Sequence, residues 1–304
     1  MGRYLLVRCI ESLVTLVVIS MVVFVLARAT GDPVTLLISD KATAQDIALL
    51  KQQLGLDQPV PVQYWVFITN AVTGNLGKSI ADKGDVGRLI ADRFPNSLLI
   101  GGPALALSTV LGIALGVAAA VGRNTWVDKA VRVVSVLGQS VPSFWLAIML
   151  IFVFSVMLRL LPTSGMGSLD HYVLPVAVLT FFGLPLRTRL MRSSMLEILD
   201  TEYVKLARAK GLSEGSVIWR HALKNALSPQ LTSFGLTLAF AITGSVVIET
   251  VFAWPGLGQL AYQAMLSRDY PLIQGTVLLV AVFVLASNLL VDVLYAYVDP
   301  RIRY

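Results

Sequence analysis

Long apolar runs alternate with short polar, often basic, breaks along most of this chain. A bilayer core about 30 Å thick needs roughly 20 helical residues to cross it. Six stretches meet that length, at residues 4–27, 98–121, 133–158, 173–190, 231–252 and 272–297. Each is expected to be helical, because lipid offers the backbone no hydrogen-bond partner. The fourth is short and holds Pro175 and Pro185, which a span tolerates where neighbouring helices satisfy the freed carbonyls. The pattern predicts an all-α polytopic membrane protein, with residues 1–304 forming one six-helix transmembrane domain.

Basic residues set the expected orientation. One side holds Arg3, Arg8, Arg123, Lys129 and Arg132, the basic loop from Arg187 to Lys224, and then Arg301 and Arg303. The opposite short loops hold only Arg159 and Arg268. Both termini are therefore expected in the cytosol. The segment 28–97 falls outside, and its length lets its own basic residues count little. It reads as a lid-like pair of short helices. Thr43 with Asp46 resembles a capping box, and Gly55 is placed to stop the first helix. Pro61 is placed to open a second, whose Tyr64, Trp65 and Phe67 suit the membrane interface.

Composition narrows the function classes. Hydrophobic residues make up 56% and charged ones 14%, against roughly 25% charged in a soluble protein. Mean hydropathy is +0.76. The net charge of +6 then reads as loop charge facing anionic lipid, not as a nucleic-acid footprint. A single cysteine, Cys9, excludes an internal disulfide or a cysteine-cluster metal site. The first apolar run lacks a small-residue cleavage site and is expected to stay as an anchor. The only histidines, His171 and His221, fall on opposite sides, so neither a two-histidine metal site nor a serine–histidine pair is evident. Leu76-Gly77-Lys78-Ser79 imitates the end of a phosphate-binding loop, but the earlier glycine it needs is Val72. No catalytic residue, cofactor site or metal site is expected in this chain.

Three features carry functional weight. Ser108, Gly112, Gly116 and Ala120 recur every four residues along the second span. Such spacing lets two helix backbones approach closely, either within this subunit or against a second one. Glu249 is an ionisable residue near the outer end of the fifth span, beside Thr243, Gly244 and Ser245. Intramembrane carboxylates point to function, although one at the interface also reaches water or caps a helix. Glu11 is placed to pair with Arg8, and Asp292 and Asn288 to bond between helices. The third feature is the polar loop 191–229. In it Tyr203, Leu206, Ala207 and Lys210 share one helical face, with Glu202 and Lys205 beside it. Gly211 is placed to end that helix in the left-handed conformation, and Ser213 to cap a second one. The hairpin suits a protein groove or, alternatively, lipid headgroups.

The run Glu202-Tyr-Val-Lys-Leu-Ala-Arg-Ala-Lys-Gly211-Leu-Ser, with His221-Ala-Leu-Lys-Asn-Ala-Leu-Ser-Pro229, resembles the ATPase-docking loop of ABC importer permeases. The chain most resembles the first permease subunit of the dipeptide/oligopeptide/nickel family, and does so along its whole length. Ser140-Val-Pro-Ser-Phe-Trp145, Glu249-Thr-Val-Phe-Ala-Trp-Pro-Gly-Leu-Gly258, Arg268-Asp-Tyr-Pro271 and Asp299-Pro-Arg-Ile-Arg-Tyr304 resemble further family segments in the family's order. The resemblance implies a bacterial inner-membrane protein paired with a second homologous permease. It also implies two ABC ATPases that bind ATP and magnesium, and an extracytoplasmic substrate-binding protein. Glu202, Tyr203, Leu206, Ala207, Ala209, Lys210 and Gly211 would form the coupling helix. Glu249, Trp254, Pro255, Gly256 and Gly258 would lie at the outer gate, on the binding-protein side. One departure is Tyr203-Val204, where the older loop pattern has two alanines. A stand-alone secondary transporter or channel is the competing class. Against it, no clear inverted repeat and no paired mid-membrane carboxylates are visible.

Overall fold

The computed structural model describes residues 2–29, 55–230 and 245–298, with single positions 45, 48, 49, 52 and 238. Helix α1 (Gly2–Ala29) is apolar on nearly every face and packs mainly along the last helix, α11 (Tyr270–Val298). Most of its side chains stay exposed, as suits a helix facing lipid. At one end Arg8 reaches Asp292 of α11 at 3.3 Å and Glu11 at 3.6 Å. At the other end lies α2 (Val60–Val72), with Pro61 in its first turn as the sequence predicts. Phe24 of α1 packs against Tyr64 and Phe67 of α2, at 5.4 and 5.5 Å between ring centroids. The Tyr64 hydroxyl lies 2.8 Å from Ser20 Oγ. Arg28 Nε donates to Gln63 Oε1 at 2.8 Å, and its guanidinium lies 3.7 Å from the centre of the Phe24 ring.

Two long helices form the centre. Helix α3 (Val86–Val121) starts well before the expected 98, because the Asp85 carboxylate caps it by accepting the Arg88 N–H at 2.9 Å. A later helix, α6 (Asp170–Leu199), runs past the expected end at 190. The two meet along the small-residue stripe. A Cβ added at Gly112 would lie 2.6 Å from that of Arg187, and one at Gly116 only 2.5 Å from that of Met191. From the other side, Gly183 admits Ser108 in the same way, at 2.7 Å. Ser108, Gly112, Gly116 and Ala120 are all buried in this contact, inside the chain. Arg187 is buried there too, its Nε donating to Thr109 Oγ1 at 2.7 Å and its Nη1 to the Gly183 carbonyl at 3.3 Å.

The apolar run 133–158 is not one helix, which corrects the expected third span. Helix α4 (Trp126–Ser140) stops at Val141, and α5 (Ser143–Leu150) leaves at 104° before widening into a π stretch, Ile151–Met157. Pro142 supplies no N–H and forces Val141 into an extended conformation, with ψ 128°. The start of α4 is pinned by Asp128, which is fully buried. Its carboxylate accepts from Arg192 of α6 at 2.7 and 2.9 Å, from Arg132 at 3.0 Å and from the Asn124 N–H at 3.1 Å.

Among the described residues four helices are long and apolar enough to cross a membrane: Leu6–Arg28, Val86–Val121, Asp170–Leu199 and Tyr270–Val293. The bent pair α4–α5 makes a fifth if it is one span. The expected span 231–252 lies mostly outside the described residues, apart from its last part, α9 (Val246–Val251). Thr43 with Asp46, Thr243, Gly244 and the segment 299–304 also lie outside them. No strand is formed among the described residues; Lys78 and Asp85 make one isolated bridge.

Helix association in lipid rests on close packing, so the α3–α6 contact should tolerate bulk poorly. Gly116→Leu is expected to cost about 1–3 kcal/mol of stability and to lower the unfolding midpoint in detergent. Gly102→Leu serves as the control, since a Cβ there meets nothing within 4 Å. Equal midpoints for the two variants would show that the stripe does not set the packing.

Candidate functional site

At one end of the bundle α6 stops at Leu199, and the chain turns through Asp200 and Thr201 into α7 (Glu202–Ala209). Val204 and Ala207 point inward, packing with Val217 against Ile198 and Leu199. The next element, α8, is a helical turn at Glu214–Ser216, a π stretch at Val217–Ala222 and a closing turn at Leu223–Ala226. As expected, Ser213 caps it, accepting the Ser216 N–H at 3.4 Å. Ala222 and Ala226 are buried against Met191, Met195, Val117 and Ala120. The hairpin is thus seated on α3 and α6.

Gly211 ends α7 with φ +78°. Its N–H donates to the Arg208 carbonyl at 2.9 Å, while that of Leu212 donates to the Ala207 carbonyl at 3.4 Å. These two bonds form a Schellman motif, which needs a left-handed residue at this point. Nothing lies within 4 Å of a Cβ there, so only the backbone angle restricts the position. An Arg208–Glu214 ion pair at 2.8 Å closes the turn, and Lys205 pairs with Glu202 at 2.8 Å. That hydrogen bond to the Glu202 carboxylate holds the Lys205 ammonium above the ordinary lysine range.

Of the residues expected to dock a partner, Glu202, Tyr203, Leu206, Ala209, Lys210 and Gly211 are exposed, whereas Ala207 is buried within the hairpin. The outward apolar groups are instead Tyr203, Leu206, Leu212 and Trp219. Tyr203 is steadied by Asn225, whose Nδ2 donates to its hydroxyl at 2.8 Å. Trp219 lies outside the expected docking set; its signal in the sequence is a tryptophan in a basic polar stretch, six residues after the capping Ser213. These four exposed apolar side chains share the hairpin with exposed Glu202, Lys205, Lys210 and Arg220.

At the opposite end of the bundle, α9 leads into the loop Phe252–Gly256 and then α10 (Leu257–Leu266). Glu249 is completely buried at its centre. Its Oε1 accepts from Ser97 Oγ at 2.7 Å and Ser245 Oγ at 2.6 Å, and its Oε2 from the Gln259 N–H at 3.0 Å. Ser97 in turn accepts the Leu257 N–H at 2.8 Å. A Cβ at Gly256 would lie 2.5 Å from the carboxyl carbon, and one at Gly258 2.9 Å from Oε2. Both glycines are therefore required for the loop to close on the carboxylate. Trp254, also fully buried, donates its indole N–H to the Asn96 carbonyl at 2.9 Å, and Asn96 Nδ2 donates to the Pro255 carbonyl at 2.8 Å. The structure thus gathers Glu249, Trp254, Pro255, Gly256 and Gly258 onto α3. Asn96, Ser97 and Gln259 are partners that sequence alone did not supply.

A bundle of long apolar helices, with a polar helical hairpin at one end and a clamped loop at the other, has the form of a membrane transport subunit. Residues 112–304 match the inner membrane component of binding-protein-dependent transport systems, and residues 1–101 match the N-terminal part of such membrane components. The chain belongs to this family, and it is the permease subunit of an ABC importer. Over 305 aligned residues it is 42% identical to the glutathione transport system permease protein GsiC of Escherichia coli K12, with 100% of each chain covered. The same figures hold for GsiC of Salmonella typhi. In fold it is similar to a chain of the inward-facing MetNI methionine ABC transporter, with TM-score 0.57 and 21% identity over 69% of this chain and 96% of that one. A chain of an amino acid ABC transporter gives TM-score 0.51 and 13% identity, over 71% and 94%. Membership in this family decides against a stand-alone secondary transporter or channel.

The clamp yields a graded expectation. Glu249→Ala strands two buried hydroxyls and a backbone N–H, at about 1–3 kcal/mol for each stranded group. It should expose the Phe252–Gly256 loop to limited proteolysis. Glu249→Gln keeps one acceptor oxygen and should slow transport of every substrate alike while protecting the loop better. Selective loss of one substrate in the glutamine variant would mark Glu249 as a substrate contact instead.

Proposed function

We propose that this chain forms half of the translocation pathway of an ATP-driven importer for peptide-like solutes, with a second homologous permease forming the other half. Residues 231–252 are taken as the fifth of six spans, and both termini, α7 and α8 as cytosolic. The exposed Tyr203–Leu206–Leu212–Trp219 surface carries it, because a hairpin rooted on α3 and α6 by buried alanines and methionines offers a separate motor a rigid handle. ATP and magnesium belong to the partner ATPases. An extracytoplasmic binding protein delivers substrate at the face where the Glu249 loop lies. The glutathione permeases at 42% identity point to a small peptide such as glutathione as cargo.

Orientation is read by impermeant thiol labelling of intact cells, in a background where Cys9 is replaced. Lys78→Cys should label from outside, and Lys205→Cys only after the membrane is opened. Labelling of Lys205→Cys in intact cells would invert the topology.

Coupling is read at Gly211. Its φ of +78° strains a β-branched residue by about 1 kcal/mol or more. Gly211→Val should therefore lower glutathione uptake and substrate-stimulated ATP hydrolysis further than it lowers membrane abundance. Glu202→Lys, which reverses a charge beside Tyr203 and Leu206, should act in the same direction. Normal uptake at normal abundance in both variants would make the hairpin a lipid-surface element.

A further inference from the structure

A second feature lies away from both sites, where the Arg28 end of α1 meets the Tyr270 end of α11 and the turn 78–83. A cavity of about 520 Å³ opens there. Its polar side chains include Arg28, Lys78, Lys83 and Gln274. Among the described residues no carboxylate pairs with Lys78 or Lys83. Asp269, the acid of the adjoining turn, is already satisfied: it is fully buried and accepts from Ser79 Oγ, the Ala81 N–H at 3.1 Å and the Leu272 N–H at 3.2 Å. Gln274 is 7% exposed, and its buried Nε2 has no hydrogen-bond partner. Among the described residues the wall therefore carries Lys78 and Lys83 without a carboxylate partner, Arg28, which also engages Gln63 and the Phe24 ring, and a buried Gln274 amide without a partner. Such a set calls for an anion.

Among the described residues the rest of the wall is Ala27, Leu56, Ile80, Tyr270 and Pro271, together with Ser79, whose hydroxyl is taken by Asp269. Just along α1 from it, Val18, Val22, Val25 and Leu26 are all exposed, continuing the apolar surface into the span. Depth is fixed by the helices themselves, since Arg28 ends one apolar span and Tyr270 begins another. The cavity therefore sits at headgroup level, beside the exposed apolar residues of α1. A soluble phosphate or a peptide carboxylate would use the charges and leave the apolar half empty. A phospholipid uses both.

We propose that this cavity binds one anionic phospholipid, its phosphodiester held by Lys78, Lys83, Arg28 and the Gln274 amide and its first acyl carbons lying along α1. Assignment to the outer leaflet rests on the orientation proposed above; the headgroup site itself does not. The lipid would fasten the outer turn 78–83 to α1 and so steady the face on which the binding protein lands.

The test is native mass spectrometry of the transporter, extracted in mild detergent with its partner subunits and titrated with dioleoylphosphatidylglycerol or dioleoylphosphatidylcholine. One phosphatidylglycerol is expected to remain at collision energies that strip phosphatidylcholine. In the Lys78→Gln/Lys83→Gln variant its affinity should fall about 30-fold, from two juxtamembrane charges. Gln274→Leu, which leaves every charge in place, should weaken retention as well. A Lys129→Gln/Lys224→Gln variant, altered at exposed lysines elsewhere, should retain the lipid fully. Equal retention of the two lipids, or equal loss in both lysine variants, overturns the site. Displacement by millimolar glycerol phosphate would show a soluble-anion site and overturn the lipid assignment. Because the measurement is made in detergent, failure here is separable from a failed topology, which thiol labelling reports.

Discussion

The contact between α3 and α6 is the constraint on which the rest of the molecule depends. In lipid there is no hydrophobic gain from burying one apolar helix against another, so association rests on how closely the backbones approach. Here Gly112, Gly116 and Gly183 bring them within reach of each other's Cβ atoms. The same stripe holds Arg187, whose guanidinium finds Thr109 and a carbonyl without leaving the interface. Everything with a functional role is hung on this pair. Asp128 fastens α4 to α6 through Arg192, α8 packs on Met191 and Met195, and the Glu249 loop is clamped to α3 through Asn96 and Ser97. The two ends of the bundle are linked through side chains that have little room to move independently.

The two end structures use opposite chemistry. The α7–α8 hairpin is held from beneath by apolar contacts and closed by exposed ion pairs, which contribute little by themselves. Its outer face is left free for a partner. The Glu249 loop is instead held by a buried, fully satisfied polar network, in which each hydrogen bond gains from the low local dielectric. Such a network fixes one geometry. On the function proposed above, that would suit a face presenting a constant surface to an incoming protein, and the hairpin would combine a stiff base with an adaptable surface.

Local signals were read correctly where local geometry decides. Pro61 opens α2, Ser213 caps α8 and Gly211 ends α7, because each depends on φ or on a side chain a few residues away. Hydropathy found the long helices but not their limits. Water and lipid both permit a helix, and so α3 extends back to its Asp85 cap and α6 continues on to carry α7. The bend at Pro142 was concealed by unbroken hydropathy on both sides, although the proline itself was in view. Ala207 was grouped with Tyr203 and Leu206 by periodicity alone; the seat formed by Ile198, Leu199 and Val217 turns it inward. Ser97, which bonds Glu249, and Ser79, which bonds Asp269, lie about 150 and 190 residues away in sequence, beyond any local pattern.

The state of the buried charges bears on how the transporter is driven. A carrier coupled to an ion or proton gradient needs an ionisable group in the membrane that exchanges its partner during the cycle. Among the described residues the buried carboxylates are all engaged: Asp128 by two arginines and a backbone N–H, Glu249 by two hydroxyls and a backbone N–H, and Asp269 by a hydroxyl and two backbone N–H groups. Each is also the anchor of a turn or helix start, so releasing it would undo the element that it holds. Carboxylates used in this way stabilise positions and do not store transport energy. On the coupling role proposed above, the work would enter at the exposed apolar surface seated on α6. On the function proposed above, the buried charges of this permease serve as bearings, and the chemistry that moves it would be performed in another subunit.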